Sequence, residues 1–448
     1  MADRSASLGA VLGAALVAAG CGDDECAHEV CAIDDPDCIE QVSKTVACKL
    51  GVEEIALPEI RMATSAELEA ELEAELEPLT DAQIRDVTDY YRGEALVGLM
   101  PADYSYSPPQ LQITEQALAY YSPDVDEIVV ITDNVGGDPE TSYLVMVHEM
   151  VHAYQDARVD LVQLQETHAT SFDRFLGVRA IIEGEATLYG SLADVEVSEL
   201  DPSTVDWGQT FDNFQTSMLT QADASEEPTF DAISLFPYAF GFEFMYDADA
   251  AGGRAALDGV FDLPPDSVRQ VVGGYAAWPD GFENDDASFD DRAMPLLPDR
   301  YTFLGGGHQS VWLLDAMLDN TTASEPLWAD DVLDAIAADY ISVFRDEDSG
   351  ELVAIWRIET GDRGALANEL LLPGSVWVNA DDGTPGSHLL LLLDDPVLVA
   401  TTGMDASPVI AEIEGWGVPS LVGARERIER RAALAGGSPL ACGRAAAP

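Results

Sequence analysis

Basic residues are scarce in this 448-residue chain: 21 Lys and Arg stand against 83 Asp and Glu, a formal net charge of −62. Lysine is almost missing, with Lys44 and Lys49 the only two. So acidic a surface repels phosphate backbones, which excludes nucleic acid as a partner. The acids are spread along the whole chain and read as a solvated surface suited to a salty medium, where counterions screen self-repulsion. A preference for basic substrates or calcium is the functional alternative. Histidine is limited to six residues, and the six cysteines include no C-x-x-C pair, which argues against a cysteine zinc site. No apolar run reaches the roughly 20 residues that a membrane-spanning helix needs. Hydrophobic residues still make up 47% of the chain, enough for a sizeable core, so the chain is not globally disordered.

What is there begins with an export signal. Arg4 lies in a short polar start, and Leu8 to Gly20 is an apolar and small-residue run of the length of a signal h-region. Ala18-Ala19-Gly20-Cys21 resembles the lipobox of bacterial lipoproteins, in which the cysteine is lipidated and becomes the new N-terminus; Ala18 stands where a larger aliphatic residue is usual. The expectation is a signal peptide over 1–20 and a lipid on Cys21 that ties the chain to the membrane of the cell envelope, at the outer membrane or cell surface. Ordinary secretion is the alternative. Cys26, Cys31, Cys38 and Cys48 can then form two disulfides in any of three pairings, with Cys442 left over. Residues 21–57 read as a Cys-rich acidic tether, and the folded body starts near Ile60.

Thr64-Ser65-Ala66-Glu67 has the spacing of a capping box, and Leu68, Leu72 and Leu76 recur every four residues behind it, predicting an amphipathic helix that Pro78 ends. Further helices are expected from Asp81 to about Leu99 and from Pro109 to Tyr120. Glu127 to Thr132 is short and β-branched, hence a strand, and Asn134 to Gly137 reads as a turn. Asp138-Pro139-Glu140 then opens a helix with an N-cap, a first-position proline and an acid at the positive helix end. Another long helix is expected over about 170–190. Residues 201–231 read as polar and irregular, and 236–250 as helical. Later helices (about 307–319 and 328–340) mix with strands (about 352–359, 374–378 and 388–393).

The chemistry lies in His148-Glu149-Met150-Val151-His152. Residues four apart share a helix face, so two imidazoles can meet one ion, and neutral imidazole suits zinc. Glu149, one residue round, can reach a zinc-bound water and accept its proton as the water attacks a carbonyl. A third protein ligand is required. Asp156-Ala157-Arg158 rules out a third histidine at the H-E-x-x-H-x-x-G-x-x-H spacing. Ile181-Ile182-Glu183-Gly184-Glu185-Ala186 offers a carboxylate instead: Glu183 sits in an apolar helical run, where a charge is costly unless it is paired or metal-bound. Glu185 is the alternative ligand. Asp173 is a candidate to orient a ligand histidine from behind. His308, after three glycines, is a minor candidate for a transition-state donor, while His28, His168 and His388 read as non-catalytic.

HEMVHAYQD at 148–156, followed by Glu183-Gly184-Glu185-Ala186-Thr187, resembles the gluzincin class of zinc metallopeptidases. It is similar in particular to a group of bacterial and archaeal peptidases, known by sequence, that carry HExxHALQDQ and EG(D/E)AT segments; Tyr154 and Ala157 depart from that pattern. Ala95 to Met100, Glu115 to Pro123, Phe236 to Gly241 and Pro264 to Ser267 extend the likeness over roughly residues 60–360. The resemblance implies Glu183 as third ligand, Glu149 as base, Tyr238 as a donor to the carbonyl oxyanion, and strand 127–132 as a sheet edge for an extended peptide. An unexceptional packed aromatic is the alternative for Tyr238. The expected fold is α+β: a mainly helical zincin-like domain over 58–285, with a small sheet whose edge strand precedes the HExxH helix, plus a mixed α/β region over 286–448 packed on it. The expected function is a zinc-dependent (Zn2+) peptidase acting on a peptide or protein substrate. A non-catalytic surface lipoprotein that keeps the fold, for binding or envelope assembly, is the alternative.

Overall fold

A computed structural model describes residues 26, 30–33, 36–75, 79–96, 117–135, 138–169, 172–223, 228–278, 300–309, 336–360, 387–391 and 396–401. The first twenty residues, Cys21, His28, Cys442, residues 109–116 of the helix expected from Pro109 to Tyr120 and the strand expected over 374–378 lie outside them. The described residues are mostly helical with two small sheets, an α+β arrangement.

The first sheet combines β1 (Glu59–Ala63), β2 (Ala119–Ser122) and β3 (Glu127–Ile131) in the order β1-β3-β2. β3 runs parallel to β1 and antiparallel to β2. The strand expected at the edge is therefore central, which corrects the sequence reading. The reason lies in its side chains. Ile128 and Val130 enter the main core, while Val129 and Ile131, on the opposite face, pack with Ala63 and Leu68. A strand buried on both faces and paired on both sides reads as an unbroken apolar run. The edge next to the H-E-x-x-H helix is β2, where Tyr120 belongs to a strand and not to the expected helix.

α1 (Pro36–Leu50) corrects the tether. Cys38, Val42, Val46, Ala47 and Leu50 recur at helical spacing and join the main core. Disulfides Cys26–Cys48 and Cys31–Cys38 staple it. Such bonds persist in oxidising compartments, which points to an extracytoplasmic location. α2 (Ser65–Glu75) opens on the reciprocal cap its spacing predicts: Thr64 N–H donates to Glu67 Oε2 at 3.0 Å, and Glu67 N–H to Thr64 Oγ1 at 3.2 Å. α3 (Asp81–Leu96) follows. Thr132–Val135 forms a short helix, α4, where a turn was expected.

α5 (Pro139–Val159) carries the histidine motif. Asp138 caps it by accepting from Thr141 N–H at 3.0 Å. Asp160, in the left-handed region at φ 55°, ends it and caps α6 (Leu161–His168). α7 (Phe172–Val197) carries Glu183. The stretch expected to be irregular holds α8 (Trp207–Asp223), whose Trp207, Phe211 and Phe214 pack on Phe242 of α9 (Pro228–Gly252). α7 and α9 cross backbone to backbone. A Cβ on Gly184 would overlap Gly241, and one on Gly241 would overlap the Ala180 carbonyl. α10 (Arg254–Asp262) and α11 (Val268–Val272) complete the helical part. No helix among the described residues is long and apolar enough to cross a membrane.

The second sheet contains β4 (Tyr301–Gly307), β5 (Ile336–Asp346), β6 (Leu352–Thr360), β7 (Ser387–Leu391) and β8 (Pro396–Thr401), antiparallel in the order β4-β5-β6-β8-β7. Residues 336–340 are thus strand where a helix was expected, and β4 holds Gly307. The helix-favouring alanines at 337 and 338 are overridden by pairing with β6, which takes Ile336 and Ala338 across a register shift. α3 lies against this sheet, with Gly93 at Val343 and Tyr90 at Gly305.

Candidate metal centre

α5 turns His148 and His152 to one side, and α7 brings Glu183 to meet them. His148 Nε2 lies 3.0 Å from His152 Nε2 and 3.2 Å from Glu183 Oε2, and His152 Nε2 lies 3.3 Å from the same oxygen. Among the described residues this is the one group of His, Cys, Asp or Glu side chains whose donor atoms converge so closely. A tetrahedral ion with bonds of about 2.0–2.1 Å needs its ligands roughly 3.3–3.4 Å apart, so the three edges fit one small cation. The donor set of two imidazole nitrogens and one carboxylate oxygen suits a divalent transition metal. The His-His-Glu group can therefore hold a metal ion.

Glu183 is 5% exposed. Burial opposes its charge, yet Arg179, then His152, and hydrogen bonds from both histidines hold its carboxyl well below the ordinary range. Arg179 Nη2 reaches Glu183 Oε1 at 2.7 Å, leaving Oε2 to the histidines. His152 shows the reciprocal effect. Burial disfavours its charge, but Glu183, with Glu149 and Gln155, outweighs that and pushes the imidazole up to about 9.

Glu149 is buried beside this group, not in it, and burial pushes its carboxyl up. The Tyr121 backbone N–H donates to it, which places Glu149 against the edge strand β2. Tyr121 also ties that strand to α5 through its hydroxyl, which donates to Asp156 Oδ2 at 2.9 Å. Tyr238 comes from α9, one turn before the Gly241 crossing. Its ring stacks on His148 with centroids 6.0 Å apart, its hydroxyl hydrogen-bonds Glu183, and burial followed by the Glu183 charge raises its pKa.

The other candidates go elsewhere. Glu185 faces away, toward Gln155, Arg158 and Arg254. Asp173 accepts from Val268 N–H at 3.1 Å at the start of α11, and the side chain that stands behind a ligand histidine is Gln155, at 2.8 Å from His152 Nδ1. His308 packs edge-on against Tyr340 in the second sheet. His168 ends α6 with Nδ1 2.8 Å from the Leu164 carbonyl, and His388 lies on β7. Sequence reasoning missed two residues, Arg179 and Gln155. Each stands one helical turn from a donor, at i−4 from Glu183 and i+3 from His152, a spacing that could have flagged both. No family model, no curated protein and no solved structure matches this chain.

Proposed function

We propose that the chain is an exported zinc-dependent peptidase of gluzincin type, held at the cell envelope through a lipid on Cys21 or secreted, with His148, His152 and Glu183 as ligands. The observation that carries the reading is the position of Glu149. It is a buried acid with a raised pKa, one residue round from two converging imidazoles and hydrogen-bonded to a sheet edge.

Zinc bound by such a donor set supplies a Lewis acid and a water acidified toward about pH 7. The remaining work falls to the chain. Glu149, held in a site where its charge is disfavoured, takes up a proton and can return it to the leaving amine. Tyr238 would turn its hydroxyl from Glu183 to the oxygen of the attacked carbonyl. Arg179 keeps Glu183 ionised and pointed inward. Leu118, just before β2, accepts from Ile131 N–H at 2.9 Å, so by alternation Ala119 and Tyr121 turn their N–H and C=O groups away from β3. An extended peptide adding along that edge would bring its carbonyl past Glu149. Sheet addition thus belongs to β2 in place of the central β3.

The test is Glu149→Gln in the purified full chain. Zinc content should be unchanged while hydrolysis of a peptide library falls by about 10²–10⁴-fold. A wild type that holds zinc and cleaves no peptide, or a Gln variant as active as wild type, refutes the reading.

A further inference from the structure

Gln155 is fully buried one turn beyond His152. Its amide nitrogen donates to the Ile182 carbonyl and to Glu185 Oε2, each at 2.9 Å. A carbonyl oxygen can only accept, so the amide sits one way round. Its own oxygen is thereby turned to His152 Nδ1, 2.8 Å away. An amide oxygen has no hydrogen to give, so Nδ1 carries the proton of that contact. In the neutral ring, the form that binds a metal, the lone pair of His152 then lies on Nε2, the atom that faces His148 and Glu183.

Glu185 is itself held from the far side. Arg158 Nη2 donates to its Oε2 at 3.2 Å, and Arg254 Nη1 ion-pairs with its Oε1 at 2.9 Å. Asp258 accepts from Arg158 Nη1 at 2.9 Å and Arg254 Nε at 3.0 Å. Both guanidinium groups also lie over the Tyr154 ring. A continuous chain of contacts thus runs from α10 through Glu185 and Gln155 to one imidazole of the metal group.

We propose that Gln155, locked by Glu185 and the Ile182 carbonyl, is a positioning residue that fixes His152 as an Nε2 ligand with its proton on Nδ1. The inference rests on the metal-centre reading and not on peptide hydrolysis. Partners of this kind orient a ligand histidine and raise its basicity, and losing one typically weakens metal binding about 10–100-fold.

The experiment reads metal binding by the full chain. In protein labelled with 15N-histidine and loaded with cadmium-113, His152 should couple to the metal through Nε2 and show a protonated Nδ1. Coupling through Nδ1 overturns the proposal, and this measurement needs no variant. Gln155→Met keeps the bulk and removes the acceptor. Its zinc dissociation constant, by chelator competition, should rise about 10–100-fold with one ion still bound at saturation. In the Met variant the protonated Nδ1 signal of His152 should shift or broaden, a change that replacing a residue that merely fills space would not cause. A folded Met variant with wild-type affinity overturns the proposal, as does one whose His152 Nδ1 signal matches that of the wild type. A wild type that takes up neither zinc nor cadmium overturns the metal centre along with it. One that binds and fails only the Gln155 tests overturns this inference alone.

Discussion

Glu183 and Glu185 stand two residues apart on α7, at 5% and 0% exposure, and face opposite sides of the helix. On one side Glu183 meets two imidazoles and Arg179, and its carboxyl is held low. On the other, Glu185 meets Gln155, Arg158 and Arg254, and burial still pushes its carboxyl up. Both burials are costly and both are compensated. The difference is in what the compensation leaves open. The Glu185 cluster closes on itself, two cations against Glu185 and Asp258. The Glu183 group directs three lone-pair-bearing atoms at one point, an arrangement that an ion completes. A buried acid in an apolar run therefore marks a place where charge must be answered, and only its partners say whether the answer is a metal.

Removing each acid in turn can break that contrast. Glu183→Ala takes away one of three converging donors, and zinc per chain after dialysis should fall from about one to about none. Glu185→Ala should still take up its ion at saturating zinc but lose about 3–5 kcal/mol of stability to urea, because Arg158 and Arg254 keep only Asp258 between them. Zinc loss confined to the Glu185 variant would reverse the assignment. A Glu185 variant as stable as wild type would show that the closed cluster contributes nothing.

Local pattern made part of this legible. The histidine spacing, the Asp138 and Thr64 caps and the apolar setting of Glu183 are each contained within one helix, and each is visible as residue order. What stayed hidden depends on partners distant in sequence. β3 looks like an edge strand until β1, nearly seventy residues earlier, pairs beside it, as Arg61 does with Glu127 at 3.0 Å. The disulfide pairing and the burial of α1 needed the core that α5 supplies. α8 was missed for a different reason: its aromatic stripe at 207, 211 and 214 has helical spacing but is diluted by polar residues. The i+3 spacing could place Gln155 beside His152, but the partners that lock its amide, Ile182 and Glu185, lie on another helix and were not legible.

Glu94 sharpens the comparison as a third buried acid, 6% exposed, where α3 meets the second sheet. Its partners are neutral: Tyr90 donates its hydroxyl at 2.6 Å and Gln309 its amide at 3.0 Å, while the Gln309 backbone N–H is held by Asp339. Among the described residues no cation answers the charge, and burial pushes the carboxyl up to about 7 from 4.5. The folded chain therefore binds this proton more tightly than the unfolded chain. Its stabilising effect is complete below about pH 4.5 and is lost as pH rises through about 7, a change on the order of 3 kcal/mol. Glu94→Gln keeps an oxygen to accept both hydrogen bonds and abolishes the titration. Urea stabilities of wild type and variant should nearly coincide near about pH 4.5 and diverge upward, with the variant the more stable by up to about 3 kcal/mol near pH 8. Parallel curves across that range would mean that Glu94 ionises without penalty, and the rule drawn from Glu183 and Glu185, that each buried charge requires a cationic partner, would fail at this third site.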